Sequence, residues 1–305
     1  YFLKLFSPER LYRRFIREKY DIVVSYLEGP TARIVSGCFD EEVKLVSWIH
    51  SEQYNMTLLA KAFRSPKEAL RCYNRFDQTV CVSSSIQEDF CKILHFKNPC
   101  KVLYNTLETS NIIKQSMEKA PELLDDQKMR LIAVGTLKKV KGFERLLKIV
   151  KRLTEENYPV HLYVLGKGPQ EKMLQQYILD NNLEKSITLL GYKMNPYRII
   201  SKCNLFVCSS FSEGFSTATL EAMIVGTAVC TVEVPGMREM LGNSEYGLIV
   251  RNSEEALYEG IKKLIDDKTL WEQYAEKARE RARHFSTEST VTAVETLFMK
   301  LAEDS

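Results

Sequence analysis

Ten short runs rich in β-branched and aromatic residues punctuate this chain, with longer stretches of helical spacing between most of them. VVSY, KLVSW, TVCVS and KVLY come first, followed by LIAVG, HLYVLG, ITLLG, LFVCS, AVCTV and GLIV. The intervening segments include ERLLKIVKRLTEE, PQEKMLQQYILDNN and SEEALYEGIKKLIDD. This rhythm predicts βαβ units and parallel sheets, an α/β fold. At 305 residues the chain exceeds what one core usually covers, and 45% hydrophobic content supports two.

The glycines divide the chain unequally. Only Gly29 and Gly37 precede residue 107, so the first part has no glycine-rich phosphate loop. In the second part LIAVG, HLYVLG and ITLLG each end in glycine, where the backbone can turn sharply or approach a ligand. That makes the carboxyl edge of the second sheet the expected binding edge. The seam falls in Leu107 to Lys128, where strand character is lost and charge gained. The expected organisation is a first domain over 1–110, a second over 111–285, and a carboxy-terminal helix over 286–305 that packs back on the first.

Net charge is +3, and all of the excess lies in residues 1–110. Much of it sits in YFLKLFSPERLYRRFIREKY, six basic and two acidic residues among large apolar ones. Two readings stay open: a helix lying on an anionic membrane surface, or a solvated helix whose apolar face is core. No run approaches a membrane span and no secretory signal is visible, so a cytoplasmic protein is expected, with peripheral contact at the inner membrane face as the further option. Nucleic acid is a poor fit to so small a basic excess. The eight cysteines contain no CxxC pair and read as reduced, mostly core thiols.

The stretch SSFSEGFSTATLEAM carries the chemistry. LFVCSS reads as a strand, Ser212 to Phe215 as a turn, and Ser216 or Thr217 as the start of the helix TATLEAMIV. A helix N-terminus offers unpaired amides and partial positive charge, a ready site for phosphates. Gly214 lets the backbone come close to a diphosphate, Glu213 in the turn points past it at hydroxyls, and Glu221 is placed to accept hydrogen bonds from a ribose diol. The plain alternative is an amphipathic helix with acids near its positive end.

On these residues the chain resembles retaining glycosyltransferases of family 4, which have the GT-B fold of two Rossmann-like domains facing across a cleft. SEGFSTATLEAMIVGTAVCTVEVPGMREML is similar to the E-x7-E region of that family. AVGTLKKVKGFERLL, YVLGKGPQEKML and LLGYKMNPYRIISKCNLFVCSS match its preceding segments in order and spacing, and VSWIHSEQY resembles the segment carrying its active-site histidine. The resemblance implies that Glu213 binds hydroxyls of the donor sugar, Lys141 neutralises the departing diphosphate and Glu221 holds the ribose. Gly214, Phe215, Ser216 and Thr217 then line the phosphates, with Gly135 and Thr136 on the adjoining loop. His50 faces the sugar from the other domain, and Tyr192 and Lys193 lie near the base. Blander roles stand beside these: Lys141 as a solvated lysine of KKVK, His50 as a satisfied core histidine.

Two departures from the family are visible. Thr136 stands where an arginine commonly follows the strand glycine, leaving Lys138 or Lys139 as substitute cations. The usual first strand and glycine-rich loop do not precede Tyr1, so the first domain is expected to be incomplete, with two readings open: the chain is a fragment, or its first domain is degenerate. The expected activity is transfer of a hexose from a nucleotide-sugar, UDP-linked, to a saccharide or lipid-linked saccharide acceptor in cell-surface polysaccharide synthesis. No cofactor is expected, and without a DxD triplet no metal. The alternatives are a non-catalytic, nucleotide-sugar-binding partner subunit and a GT-B phosphorylase or epimerase.

Overall fold

The computed structural model describes residues 2–51, 56–94, 100–124 and 127–303. Its contacts divide the chain into two units, Tyr1–Thr106 with Glu288–Ser305, and Leu107–Thr287.

In the first unit β1 (Ile22–Ser25), β2 (Lys44–Ile49), β3 (Gln78–Cys81) and β4 (Cys100–Val102) form a parallel sheet in that order. Each falls within or beside one of the four runs expected to be strands. Two polar residues inside this sheet satisfy each other: Ser47 and Thr79 are register partners whose hydroxyls lie 2.8 Å apart. The basic helix Pro8–Phe15 starts at Ser7, whose hydroxyl caps the Arg10 amide, and turns Leu11 into the core at 1% exposure. It packs on helix Pro30–Val35, and Gly37 lets them approach, since a Cβ there would sit 2.1 Å from the Pro8 carbonyl oxygen. Arg33 is fully buried, paired with the Glu68 carboxylate and bonded to the carbonyls of Leu3 and Phe6.

The second unit has six parallel strands: β5 (Met129–Val134), β6 (Val160–Leu165), β7 (Ile187–Gly191), β8 (Leu205–Cys208), β9 (Ala228–Val232) and β10 (Leu248–Val250). Their order in the sheet is β10-β9-β8-β5-β6-β7. The chain runs outward from β5 to β7 and then returns to β8 on the other side of β5. Such a reversal opens a crevice at the carboxyl ends of the two central strands, where connections diverge to opposite faces. All residues of β6, β8 and β9 are buried, as expected for a sheet covered on both faces.

The seam stretch is helical where strand character was expected only to fade. Helix Thr109–Ser116 joins the second unit because its carbonyls take hydrogen bonds from that unit, Gln115 from Asn195 and Ser116 from Ser201. At the other end, helix Lys268–Ala282 packs on helix Thr217–Val225 and on β9, anchored by Trp271 donating to the Asn204 carbonyl. No helix among the described residues is long and apolar enough to cross a membrane.

Candidate active site

Two loops leave the sheet at the reversal, one after β5 and one after β8. After β5, Gly135 and Thr136 lead to a 3-10 turn, Lys139–Lys141, and then to Gly142 at φ 67°, which opens helix Phe143–Glu155. Gly142 is required twice over. Its left-handed backbone suits glycine, and a Cβ there would lie 1.9 Å from the Ser209 carbonyl oxygen of the other loop. The loops are further laced by Ser209 Oγ donating to the Lys141 carbonyl and by the Phe211 amide donating to the Val140 carbonyl.

β8 ends at Cys208, two residues short of the expected LFVCSS strand. The reason is Arg145, whose guanidinium takes the carbonyls of both Ser209 and Ser210 out of any strand ladder. Arg145 is buried, also donates to Asn252 Oδ1, and lies 4.1 Å from the centre of the Phe211 ring. Burial lowers its pKa from the ordinary arginine value.

The loop held in this way presents Glu213. Lys141 Nζ donates to both carboxylate oxygens at 2.8 and 2.7 Å, and Ser210 Oγ donates to Oε1. The Glu213 side chain is 9% exposed and that of Lys141 29%, so the pair sits at the mouth of a recess. Helix Thr217–Val225 follows with Ser216 as its N-cap, the Ser216 hydroxyl accepting from the Thr219 amide. The amides of Thr217 and Ala218 belong to the first turn, where a helix has no ladder partners for its donors. Thr217 is exposed, whereas Phe215 turns its ring into the core against Phe285, and Gly214 lies over Gly236.

One helical turn on, Glu221 faces a different space, a cavity of about 510 Å³ at the ends of β5, β6 and β7. Its walls include Gly135 and Thr136, Gly166 and Lys167, Tyr192, Lys193 and Met194, with Tyr197 beside Glu221. Gly166, at φ 141°, allows the loops after β5 and β6 to touch, because a Cβ would stand 1.9 Å from the Gly135 carbonyl oxygen. Burial pushes the Glu221 carboxyl up to about 7, opposed by a hydrogen bond with Tyr197, whose own phenol is raised by burial and by the Glu221 charge.

Eleven of the twelve expected site residues thus lie in the second unit, around the reversal. Lys193 is additionally ion-paired with Glu122 at 3.3 Å, while Tyr192 is 63% exposed. Lys138 and Lys139, the expected substitute cations, are exposed and absent from the cavity wall, and Lys167 lines it instead. His50 lies in the first unit at the end of β2. Its amide donates to Glu28 Oε2 at 3.0 Å, and its ring stands 4.8 Å from that of Tyr26 with Nε2 buried and without a hydrogen-bond partner among the described residues. Burial lowers its pKa from the ordinary imidazole value, so His50 favours the neutral form. The sequence reading missed Arg145, Lys167, Tyr197 and Ser210. Ser210 alone had a signal, its place three residues before Glu213.

Comparison with known proteins decides the family. Residues 2–111 match the model of Glycosyltransferase Family 4, and residues 114–283, more than half of the chain, match that of Glycosyl transferases group 1. The chain belongs to the glycosyl transferases group 1 family. A Campylobacter jejuni relative, N-acetylgalactosamine-N,N'-diacetylbacillosaminyl-diphospho-undecaprenol 4-alpha-N-acetylgalactosaminyltransferase, is 34% identical over 188 residues, 61% of this chain and 50% of the relative. The capsular polysaccharide biosynthesis glycosyltransferase CapM of Staphylococcus aureus is 26% identical over 74% of this chain and 60% of its own length. The chain therefore spans half to three-fifths of these two relatives. Among solved structures, Anabaena HepE in complex with UDP-glucose superposes with a TM-score of 0.78 at 19% identity, covering 92% of this chain and 79% of HepE. Sucrose-phosphate synthase from Thermosynechococcus elongatus gives 0.80 at 18% identity over 98% of this chain and 78% of its own. The fold class is GT-B, with two parallel α/β units.

Proposed function

We propose that this chain carries the donor site of a retaining hexosyltransferase that uses a UDP-linked sugar and a saccharide or lipid-linked saccharide acceptor. One observation carries the reading: a single strand–turn–helix delivers Glu213, neutralised by Lys141, and Glu221, in a glycine-walled cavity, to two adjoining recesses at the end of β5. In this reading the uridine and ribose occupy the 510 Å³ cavity. Glu221 accepts the ribose hydroxyls, and Lys167 and the amides after Ser216 face the diphosphate. Lys141 has three N–H donors, two of them spent on Glu213, and the third is available to a phosphate oxygen as the glycosidic bond breaks. Glu213 accepts from sugar hydroxyls, and His50, neutral, is kept as a candidate catalytic residue of the first unit.

HepE in complex with UDP-glucose supports the donor class, and the undecaprenol-linked name of the Campylobacter relative supports the acceptor class. Calorimetric titration of the chain with UDP and UDP-glucose, beside Glu213→Ala and Glu221→Ala, tests the assignment. Glu221→Ala should weaken both ligands alike, while Glu213→Ala should weaken only the sugar-bearing one. Equal losses from both changes would refute it. An NMR record of the product anomer tests retention.

The amino-terminal helices support peripheral contact with an anionic membrane, because Phe15, 56% exposed, stands beside the exposed Arg13, Arg14 and Arg17, and Leu5 on the preceding helix is 73% exposed. Co-sedimentation with phosphatidylglycerol vesicles should fall on Phe15→Ser and vanish with phosphatidylcholine vesicles.

A further inference from the structure

Eight cysteines spread through the sequence give no motif, yet the fold gathers three of them in the first unit. Cys81 ends β3 and Cys100 begins β4. Thr79 is the register partner of Cys100, and strand alternation puts Cys81 on the same face as Thr79, so the two thiols are diagonal neighbours. Helix Ser84–Leu94 covers that face. It sets Gln87 and Cys91 one turn apart, Gln87 Nε2 donating to the Cys100 carbonyl at 2.7 Å and Cys91 Sγ lying 3.4 Å from Cys100 Sγ. Cys81 is fully buried, whereas Cys91 and Cys100 are partly exposed.

We propose that Cys91 and Cys100 are a thiol–disulfide exchange site that closes into a reversible intramolecular disulfide by reaction with a small-molecule disulfide of the glutathione class. The Cys100 sulfur is the attacking one. Hydrogen bonds from the Cys81 and Cys91 thiols favour its thiolate and lower its pKa to about 7, while burial pushes Cys91 up to about 12. Cys100 thiolate attacks one sulfur of the small disulfide, forming a mixed disulfide and releasing the other half as a thiolate. Cys91 then loses its proton and attacks the Cys100 sulfur, releasing the second half as a thiol. In sum two protein thiols are oxidised and one small disulfide is reduced to two thiols. Reaching bonding distance from 3.4 Å needs an approach of roughly 1.4 Å, which side-chain rotation on a helix surface can supply. Cys81 is the positioning residue: it donates to Cys100 from inside the sheet and is too buried to meet a dissolved disulfide. A metal cage is not the reading, since among the described residues no group of three or more His, Cys, Asp or Glu could hold an ion.

Peptide mapping of the folded chain after incubation with oxidised glutathione tests this. The expected product has lost about 2 Da, carries a Cys91–Cys100 linkage, and regains its two thiols with a reducing agent. Cys91→Ser should stop at a glutathione adduct on Cys100, about 305 Da heavier, and Cys100→Ser should give neither adduct nor linkage. A stable adduct on the unaltered chain, a linkage through Cys81, or no reaction at Cys100 while other cysteines react would each overturn the proposal, and all three are read on the unaltered chain.

Discussion

Glu213 and Glu221 leave the same strand–turn–helix eight residues apart, yet they are held in opposite ways. Glu213 is fixed by a lysine, by Ser210 and by the carbonyl tether of Arg145 behind it. Glu221 has a tyrosine as its hydrogen-bond neighbour and, among the described residues, no ion pair, although Lys167 and Lys193 line the same cavity, and burial works against its charge. The contrast teaches how one local motif can serve two chemical ends. A carboxylate that must stay put while charge develops nearby needs a counter-ion and a rigid loop. On the proposed assignment Glu221, which only grips a ribose, can wait, part of the time protonated, in an emptier cavity.

Removing the counter-ion should break that contrast most severely. Lys141→Ala is expected to lower donor turnover by at least about 100-fold, and adding Glu213→Ala should cost far less than the two losses multiplied. Steady-state kinetics of donor hydrolysis check this, and multiplicative losses would mean the two side chains act independently. Next, Gly142→Ala should destabilise the second unit by about 2–3 kcal/mol, because its Cβ meets the Ser209 carbonyl at 1.9 Å and its φ is positive. Urea unfolding reads that loss, and Gly135→Ala, whose Cβ meets only side-chain atoms at 3.6 Å or beyond, should cost less.

Arg145→Met keeps much of the buried volume but frees the carbonyls of Ser209 and Ser210. It should reduce turnover about 10-fold while leaving the Kd for UDP within about twofold, since the tether serves the Glu213 loop and not the cavity. A UDP affinity that falls in step with turnover would place Arg145 in support of both glutamates.

The smallest effect is the dependence on pH. With the Glu221 carboxyl at about 7, UDP affinity should rise a few-fold as pH climbs from about 6 to 8, because the ionised form accepts both ribose hydroxyls. The Glu221→Gln profile should be flat. Stability runs the other way: the folded value lies above the ordinary 4.5, so between the two the folded chain binds more protons than the unfolded one. Its stabilising contribution is complete below about 4.5 and is lost as pH rises through about 7. The Tm of the unaltered chain minus that of Glu221→Gln should therefore fall across this window, and a constant difference would show that Glu221 is already solvated.

Much of the architecture was legible because parallel strands buried on both faces are written as continuous apolar runs, and each of the ten runs expected to be a strand overlaps one. The turn at Glu213 was legible because the residues that make it are contiguous. Arg145 was not, since in ERLL it reads like any charge on an amphipathic helix, and only the approach of the β8 loop makes it a tether. Lys167 and Tyr197 were hidden for the same reason: they reach the cavity from separate strand ends, and no spacing in the chain encodes their meeting. Lys138 and Lys139 read as phosphate cations by their position after Gly135, but both are exposed, and it is Lys141, at the end of the 3-10 turn Lys139–Lys141, that meets Glu213.

By itself, then, the sequence determined the strands, the helices, the capped turn and the pair of carboxylates, because each depends on residues within one or two turns of one another. The tertiary structure decided which cation meets which carboxylate, which glutamate is left to titrate near neutrality, and which three of eight cysteines touch. Those outcomes depend on the order of strands in the two sheets, and strand order brings together side chains that the chain keeps tens of residues apart.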